Sequence, residues 1–428
     1  MIYIIMLVVF VLGYVAIALE HPIKVDKAAS ALIIGALGWA LFAFSGMEAH
    51  HISEELKHHL VDIAEILFFL LGAMTIVELI DVHEGFTVIT DKIATRHRVK
   101  LMWILCIITF FFSAVLDNLT TSIVMAALIS KLIKDKNDLW MFAGMIIISA
   151  NAGGAWSPIG DVTTIMLWIG GQVTAASIIK AIIIPSIVCL IVPLTYISFK
   201  MKGELAPLSI EENKGNTFKV PSSERNLVFI LGVAGLLFVP VFKTVTHLPP
   251  YLGILFSLGV LWLVTELLHA KKSSEIKSKL SVIAVIKKVD VATIFFFMGI
   301  LLAVASLQSM GHLKDLALIL NDTFNGNIYA INIIIGLLSS IVDNVPLVAG
   351  AMGMYEVSEV GLFAVDGKFW QFLAYCAGTG GSVLIVGSAA GVAVMGILKV
   401  DFIWYVKKIS ILALMGYLAG AATYILMQ

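Results

Sequence analysis

Residues 113–118 read Ser-Ala-Val-Leu-Asp-Asn, and residues 339–344 read Ser-Ser-Ile-Val-Asp-Asn. Each Asp-Asn pair lies in the middle of a long and otherwise apolar stretch, at approximately 100–133 and 328–355. An ionisable residue in apolar sequence of membrane length is costly and by default marks an ion or substrate pathway. The duplicated pair therefore predicts a membrane protein with related functional elements in two halves.

The composition agrees with a membrane protein. The chain has 428 residues, of which 60% are hydrophobic and 13% charged, about half the charged fraction of a soluble domain. Three cysteines lie far apart in apolar runs, which is typical of buried small residues and not of a disulfide or zinc framework. Residues 1–19 lack a basic segment and a small-residue cleavage site, so we expect a first span and not a signal peptide.

Ten apolar runs are long enough to cross a bilayer. The stretches 100–133 and 328–355 are most simply re-entrant hairpins, which are tolerated at membrane depth only when buried in protein or lining a watery cavity. The predicted spans are 1–19, 28–46, 61–80, 139–170, 175–199, 226–243, 251–268, 291–309, 370–397 and 409–427.

Three motifs recur at a constant offset of 226 or 227 positions. Phe-Phe-Leu-Leu-Gly at 68–72 returns as Phe-Phe-Phe-Met-Gly at 295–299, the Asp-Asn motif returns, and so does the glycine pattern of 153–160 at 380–387. Each half then holds five spans and one hairpin, and an odd number of spans turns the second copy upside down. The expected fold is an all-α polytopic membrane protein of two inverted-topology repeats, with broken helices at mid-membrane.

The predicted domain organisation follows from this repeat. Most lysines and arginines fall on one side of the ten-span topology, so both termini should be extracytoplasmic by the positive-inside rule. The expected parts are a first repeat at 1–199 (scaffold spans in 1–80, an amphipathic interfacial helix at 81–99), a cytoplasmic linker at 200–225, and a second repeat at 226–428 (scaffold spans in 226–309).

The candidate site combines the hairpin pairs with a glycine-rich break. Asp and Asn also favour exposed hairpin tips, but each pair lies about 15 residues from either end, roughly 20 Å of helix, which places it near mid-membrane. The glycines and proline of 153–160 predict a broken span that exposes carbonyl groups and helix ends. Beside it, Asn151, Asp161 and Thr163 offer oxygen ligands for a hard cation. The second half has Ser388 in place of Asp161, so the first half carries more negative charge.

Several further polar residues are accessory candidates. Glu65 and Glu78 lie in the third span, where they either serve proton or cation passage or are merely interfacial; their repeat partners are Ala292 and Ala305. The remaining accessory candidates are Ser113, Ser157, Ser339 and Ser382.

Three segments together resemble the NhaD-type sodium/proton antiporters of the ion-transporter superfamily: LDNLTTSIVMAALI at 116–129, SANAGGAWSPIGDVTT at 149–164 and SSIVDNVPLVAGAM at 339–352. The resemblance covers essentially the whole chain. It implies exchange of cytoplasmic Na⁺ or Li⁺ for external H⁺ by a homodimer in the bacterial inner membrane, without a cofactor or nucleic acid. By matching motif it implies functional roles for Asp117, Asn118, Asn151, Asp161, Thr163, Asp343 and Asn344, with Na⁺ at the first five.

A carboxylate in a low-dielectric site can hold either a proton or Na⁺, and competition between the two gives exchange. One rival hypothesis keeps the fold and transports a dicarboxylate or an oxyanion. Dicarboxylate carriers of the superfamily have Ser-Asn-Thr at their hairpin tips, whereas this chain has aspartate there and no obvious basic residue to hold a carboxylate. A second, weaker rival is an intramembrane aspartyl protease.

Overall fold

The computed structural model describes residues 1–18, 20–90, 95–205, 220–270, 272–385 and 387–428. Within these ranges the chain forms helices and no β-strand. The first half contains α1 (Ile2–Ala18), α2 (Glu20–Ile23), α3 (Lys27–Ala43), α4 (Ala49–Val82), α5 (Thr87–Thr90), α6 (Arg98–Leu116), α7 (Asn118–Leu132), α8 (Lys136–Ala155), α9 (Val162–Ile169) and α10 (Ala175–Lys200). The second half contains α11 (Ser222–Thr246), α12 (Pro250–His269), α13 (Ser274–Leu280), α14 (Val282–Ile286), α15 (Val291–Met310), α16 (His312–Phe324), α17 (Ile328–Leu338), α18 (Asn344–Met354), α19 (Lys368–Gly380), α20 (Ala389–Leu398), α21 (Phe402–Lys408) and α22 (Ser410–Met427).

In the described part of the chain, seven helices are long and apolar enough to cross a membrane, or eight if the bent pair α20 and α21 counts as one span. The protein is therefore a polytopic helical membrane protein. Two predicted spans, 1–19 and 28–46, correspond to the shorter apolar helices α1 and α3. The 19-residue α6, in the first predicted hairpin, is itself long enough to cross, so length alone does not separate a hairpin arm from a span.

The predicted amphipathic helix at 81–99 is not one continuous helix in the described residues. Helix α4 continues to Val82, and only the four-residue α5 forms before α6. Between α4 and α5 the chain turns, because Glu84 adopts a φ of 57°. Phe86 is buried against Phe112 and Phe229 and does not lie at a surface. Residues 91–94, and the central part of the predicted linker at 206–219, lie outside the described residues.

The break in the predicted span 139–170 lies at Pro158 and Gly160 of the predicted segment 153–160, and not at its first two glycines. Helix α8 includes Gly153 and Gly154 and ends at Ala155, and α9 starts at Val162. A Cβ on Gly153 would clash with the carbonyl oxygen of Phe110, so this glycine permits close packing of α8 on α6. In the second half the corresponding break, between α19 and α20, lies where the glycine pattern predicts it.

Helices α8 and α19 form the centre of the molecule. Almost every residue from Phe142 to Ala155 is buried, and the same holds for most of α19. Helices α6, α7 and α20 pack on α8, and α17 and α18 pack on α19. Helices α3 and α15 also pack closely on each other, because a Cβ on Gly35 would lie 2.5 Å from the carbonyl oxygen of Gly299. The interruptions that follow the central helices α8 and α19 therefore meet inside the protein.

Candidate cation site

Four helices begin at the interruptions, and each is capped by one side chain from a predicted motif. Asp117 accepts a hydrogen bond from the first turn of α7, Asp161 from α9, Asp343 from α18 and Ser388 from α20. These caps satisfy backbone N–H groups that would otherwise lack partners. Three of the four helix N-termini thus hold a carboxylate, which the positive end of the helix dipole stabilises.

Asp161 is the centre of the hydrogen-bond network. It is 1% exposed, and Asn118 Nδ2 donates to its Oδ2 at 2.5 Å. Asn344 Nδ2, at the start of α18, donates at 3.3 Å to Oδ1 and 3.4 Å to Oδ2. The Thr163 backbone N–H and hydroxyl donate to Oδ1 at 2.9 and 2.8 Å. The two repeat-related asparagines therefore converge on the carboxylate that the second half of the chain lacks.

Asn151 connects the two broken helices. Its Oδ1 accepts from Asn118 Nδ2 at 3.1 Å. Its Nδ2 donates to Ser382 Oγ at 2.9 Å and to Ser388 Oγ at 3.0 Å. Asn151 is fully buried, so its amide forms these hydrogen bonds within the protein instead of with water. The bonds fix the position of the amide.

Asp117 and Asp343, the aspartates of the two predicted hairpins, have different surroundings. Asp117 accepts from Thr120 N at 2.8 Å and from Thr120 Oγ1 at 2.9 Å. It adopts φ 82° and ψ 160°, a region that only glycine normally occupies. Asp343 has an ordinary φ of −48°, and its Oδ2 lies 3.4 Å from Lys27 Nζ.

Lys27 is the functional candidate that the sequence analysis missed. It is the first residue of α3, and its ammonium group also lies over the ring of Phe296, 4.2 Å from the centroid. In the sequence it resembles any lysine at the start of an apolar run, with no signal that separates it from an interfacial residue. It brings a positive charge to the rim of a site that contains three carboxylates.

The two Asp-Asn pairs and Asp161 line a cavity of about 30 Å³. Helices α4 and α15 close it with Leu70, Met74 and Phe297. A wider pocket of about 230 Å³ lies beside it and shares Leu119, Thr293 and Ala389 with the cavity lining. This wider pocket is lined by charged residues, namely Glu20, Asp26, Lys27 and Asp290.

The accessory candidates separate into three groups. Ser382 belongs to the network through Asn151. Ser113, Ser157 and Ser339 instead donate to the backbone carbonyls of Ala150, Ala114 and Ala377, which ties α6 to the region of α8 and the end of α17 to α19. Glu65 and Glu78 lie on α4 outside the described lining of the cavity.

Helices interrupted inside a polytopic helical protein, next to a buried carboxylate, are typical of secondary transporters. Residues 14–370 match the family CitMHS, described as "Citrate transporter". Sodium/proton antiporter 1 of Arabidopsis thaliana is 44% identical over 98% of this chain and 72% of its own length. Sodium/proton antiporter 2 of the same plant is 42% identical over 98% of both chains. The Na(+)/H(+) antiporter NhaD of Vibrio cholerae is 29% identical over 99% of this chain and 91% of its own length.

The chain belongs to the CitMHS family and, within it, to the NhaD-type proteins that these relatives represent. The family resemblance expected from the sequence is thus confirmed. The protein is a transporter and not an enzyme, which removes the aspartyl protease hypothesis.

Proposed function

We propose that the protein is a sodium/proton antiporter in which Na⁺ and H⁺ compete for the carboxylate of Asp161. The observation that carries the proposal is the convergence of Asn118, Asn344 and Thr163 on this one buried group. The names of the relatives support the same activity. Asp117, Asn118, Asn151 and Thr163 are the proposed further ligands of Na⁺ or Li⁺, and Asp343 with Asn344 completes the site from the second hairpin.

The electrostatics favour a cation as cargo. Four helix N-termini alone would attract an anion, but the protein fills three of them with its own carboxylates. Lys27 offsets only one of these charges. With all three aspartates ionised the site is therefore negative, and it gains most by binding a cation or a proton.

Transport of a dicarboxylate or an oxyanion is the second candidate. It is favoured by the description of the family as "Citrate transporter" and by the position of Lys27. The size of the cavity argues against it, because about 30 Å³ is room for a water molecule or a bare cation and not for a dicarboxylate.

The proposed cycle uses the amide groups as a switch. In the observed arrangement the amide N–H groups of Asn118 and Asn344 donate to Asp161 and stabilise its negative charge. Rotation of an amide by half a turn presents its carbonyl oxygen to Na⁺ instead, a ligand type that hard cations prefer. A proton on Asp161 removes the charge that Na⁺ needs. Exchange follows if only the loaded, neutralised site changes its access between the two sides of the membrane.

The proposal extends to the setting of this cycle. Two inverted repeats, 1–199 and 226–428, would supply the re-entrant hairpins and alternating access. The expected scaffold spans in 1–80 and 226–309 would stay fixed while the hairpins and broken helices move. Cytoplasmic Na⁺ or Li⁺ would leave in exchange for external H⁺, through a homodimer in the bacterial inner membrane with extracytoplasmic termini.

Proteoliposomes that contain a pH-sensitive dye test the proposal. Addition of Na⁺ should move protons in wild-type vesicles, and Asp161→Asn and Asp117→Ala should lose this response. Glu65→Gln, which changes a carboxyl outside the cavity, should retain it. Raising the pH should lower the apparent KM for Na⁺, by up to about tenfold per pH unit, because fewer protons compete. Undiminished exchange in Asp161→Asn would sink the assignment, and uptake of labelled citrate without Na⁺-driven proton movement would favour the anion hypothesis.

A further inference from the structure

Two histidines and a glutamate form a buried cluster away from the transport cavity. His83 caps the C-terminus of α4, Glu224 lies in the first turn of α11, and His269 is the last residue of α12. They are 0%, 7% and 3% exposed, respectively. None of the three is among the described residues that line the cavity around Asp161. The cluster joins the end of α4 to the start of α11 and the end of α12, two consecutive helices that lie far from α4 in the sequence.

The ligand atoms are spaced as in a metal site. His83 Nε2 lies 3.2 Å from His269 Nε2 and 3.9 Å from Glu224 Oε1. His269 Nε2 and Glu224 Oε1 are 2.8 Å apart. A triangle with these sides has a point about 2.0 Å from all three corners, which matches Zn–N and Zn–O bond lengths. Among the residues that the structure describes, these three form the one group of three or more His, Cys, Asp or Glu residues whose ligand atoms all lie within 4.8 Å of one another.

The hydrogen bond of His83 to the backbone directs its Nε2 towards the other two side chains. His83 Nδ1 lies 2.7 Å from the carbonyl oxygen of Leu79, and since a carbonyl only accepts, Nδ1 carries the proton. In the neutral ring Nε2 is then a lone-pair donor, the tautomer that such a second bond fixes in metal sites. The Nε2–H of His269 points between Glu224 Oε1 and His83 Nε2, so this proton occupies the position where a metal ion would bind.

Lys272 is compatible with this arrangement. Its Nζ bonds both carboxylate oxygens of Glu224, at 2.5 Å in the case of Oε2. A metal on Oε1 leaves Oε2 to Lys272, which then orients the ligating carboxylate from the outer shell. Lys272 also competes electrostatically with a cation at this place, so its charge should weaken metal binding.

We propose that His83, Glu224 and His269 bind one transition-metal ion of the zinc class. Two imidazole nitrogens and one carboxylate oxygen form a set that suits Zn²⁺, whereas Na⁺ and Mg²⁺ prefer oxygen ligands only. Three protein ligands leave a fourth position for water. The ion fastens the ends of α4, α11 and α12 to one another, and it binds independently of the transported cation.

Zn²⁺ titration of the purified, EDTA-treated full-length protein tests the site. The wild type should bind one tight Zn²⁺ per chain and unfold at a higher temperature with Zn²⁺ than with Mg²⁺. The double variant His83→Gln/His269→Gln should lose the tight Zn²⁺ and the temperature shift. Two exposed histidines of α4, His51 and His58, provide the matched control, because His51→Gln/His58→Gln should keep both the tight Zn²⁺ and the temperature shift. Equal stoichiometry and temperature shift in the wild type and the His83→Gln/His269→Gln variant would overturn the proposal.

A second variant covers the case in which the double histidine variant does not fold. Lys272→Gln removes the competing charge and keeps all three ligands, so its Kd for Zn²⁺ should be at least threefold lower than that of the wild type. An unchanged or higher Kd would contradict a metal at Glu224. Asp161→Asn should bind Zn²⁺ as the wild type does, which separates this site from the transport site.

Discussion

Lys27 Nζ lies 3.4 Å from Asp343 Oδ2, and this ion pair joins the first residue of α3 to the N-cap of α18. The side chains are 21% and 13% exposed, so both charges are largely withdrawn from water. A largely buried charge that loses its partner is strongly destabilising, whereas loss of both charges costs much less. The pair also leaves Asp343 less available than Asp161 to a transported cation.

Lys27→Gln should therefore lower the free energy of unfolding by about 1–2 kcal/mol, because Asp343 is left unpaired. The double variant Lys27→Gln/Asp343→Asn should recover most of that loss. Thermal unfolding of the wild type, the two single variants and the double variant in detergent measures the coupling. Additive losses in the double variant would mean that the pair contributes no interaction energy.

The two asparagines that donate to Asp161 should contribute unequally to Na⁺ binding. Asn118 Nδ2 makes contacts of 2.5 and 3.1 Å to Asp161 and Asn151, whereas the contacts of Asn344 Nδ2 are 3.3 and 3.4 Å. Hydrogen bonds to charged groups contribute about 1.5–3 kcal/mol. Asn118→Ala should thus raise the apparent KM for Na⁺ by about tenfold or more, and Asn344→Ala by less.

Initial rates of Na⁺-driven proton movement over a range of Na⁺ concentrations give the apparent KM of each variant. Ser113→Ala serves as a control for the hairpin, because its hydroxyl bonds the carbonyl of Ala150 and not a side chain of the site. A larger effect of Asn344→Ala than of Asn118→Ala would show that the first hairpin does not dominate binding.

Asp117 holds a glycine-type backbone conformation, and this should cost stability. With φ 82° and ψ 160°, the cost is about 1–3 kcal/mol for a residue with a side chain. Asp117→Gly should consequently be more stable than Asp117→Asn by about 1 kcal/mol, although both lose the carboxylate. At Asp343, where φ is −48°, glycine should instead be less stable than asparagine. The unfolding temperatures of the four variants test this prediction. If the glycine and asparagine variants ranked in the same order of stability at both positions, strain at Asp117 would be contradicted.

The sequence predicted the elements of the site because their signals are local. A carboxylate next to an amide in apolar sequence, and a run of glycines with a proline, are each unfavourable in a regular membrane helix. Asp117, Asn118, Asn151, Asp161, Thr163, Asp343 and Asn344 all belong to such segments, and in the structure Asn118, Asn151, Thr163 and Asn344 join the network of Asp161.

What the sequence could not predict depends on tertiary contacts. The ion pair of Lys27 spans 316 positions, and nothing near Lys27 in the sequence indicates it. The sequence also predicted an interfacial helix from the spacing of Phe86 and its neighbours, but Phe86 packs against two other phenylalanines inside the protein. Likewise, the sequence alone does not distinguish a glycine that breaks a helix from a glycine that lets two helices pack closely.

Gly153 and Gly380 illustrate this second role at equivalent places in the two halves. A Cβ on Gly153 would clash with the carbonyl oxygen of Phe110, and one on Gly380 with that of Gly336. In each case the opposing atom belongs to the backbone of α6 or α17 and cannot move aside as a side chain would. Gly153→Ala and Gly380→Ala should therefore destabilise the fold by about 2–3 kcal/mol each, through separation of a hairpin from its broken helix.

Gly259 is the matched control for this prediction, since it lies in α12 with open space around its Cα. Gly259→Ala should leave stability unchanged or raise it by about 0.5–1 kcal/mol, because alanine is the better helix former. Thermal unfolding, together with Na⁺-driven proton movement, should show loss of both properties in Gly153→Ala and Gly380→Ala only. Wild-type stability in either of those two variants would mean that the hairpins do not depend on backbone contact with α8 and α19.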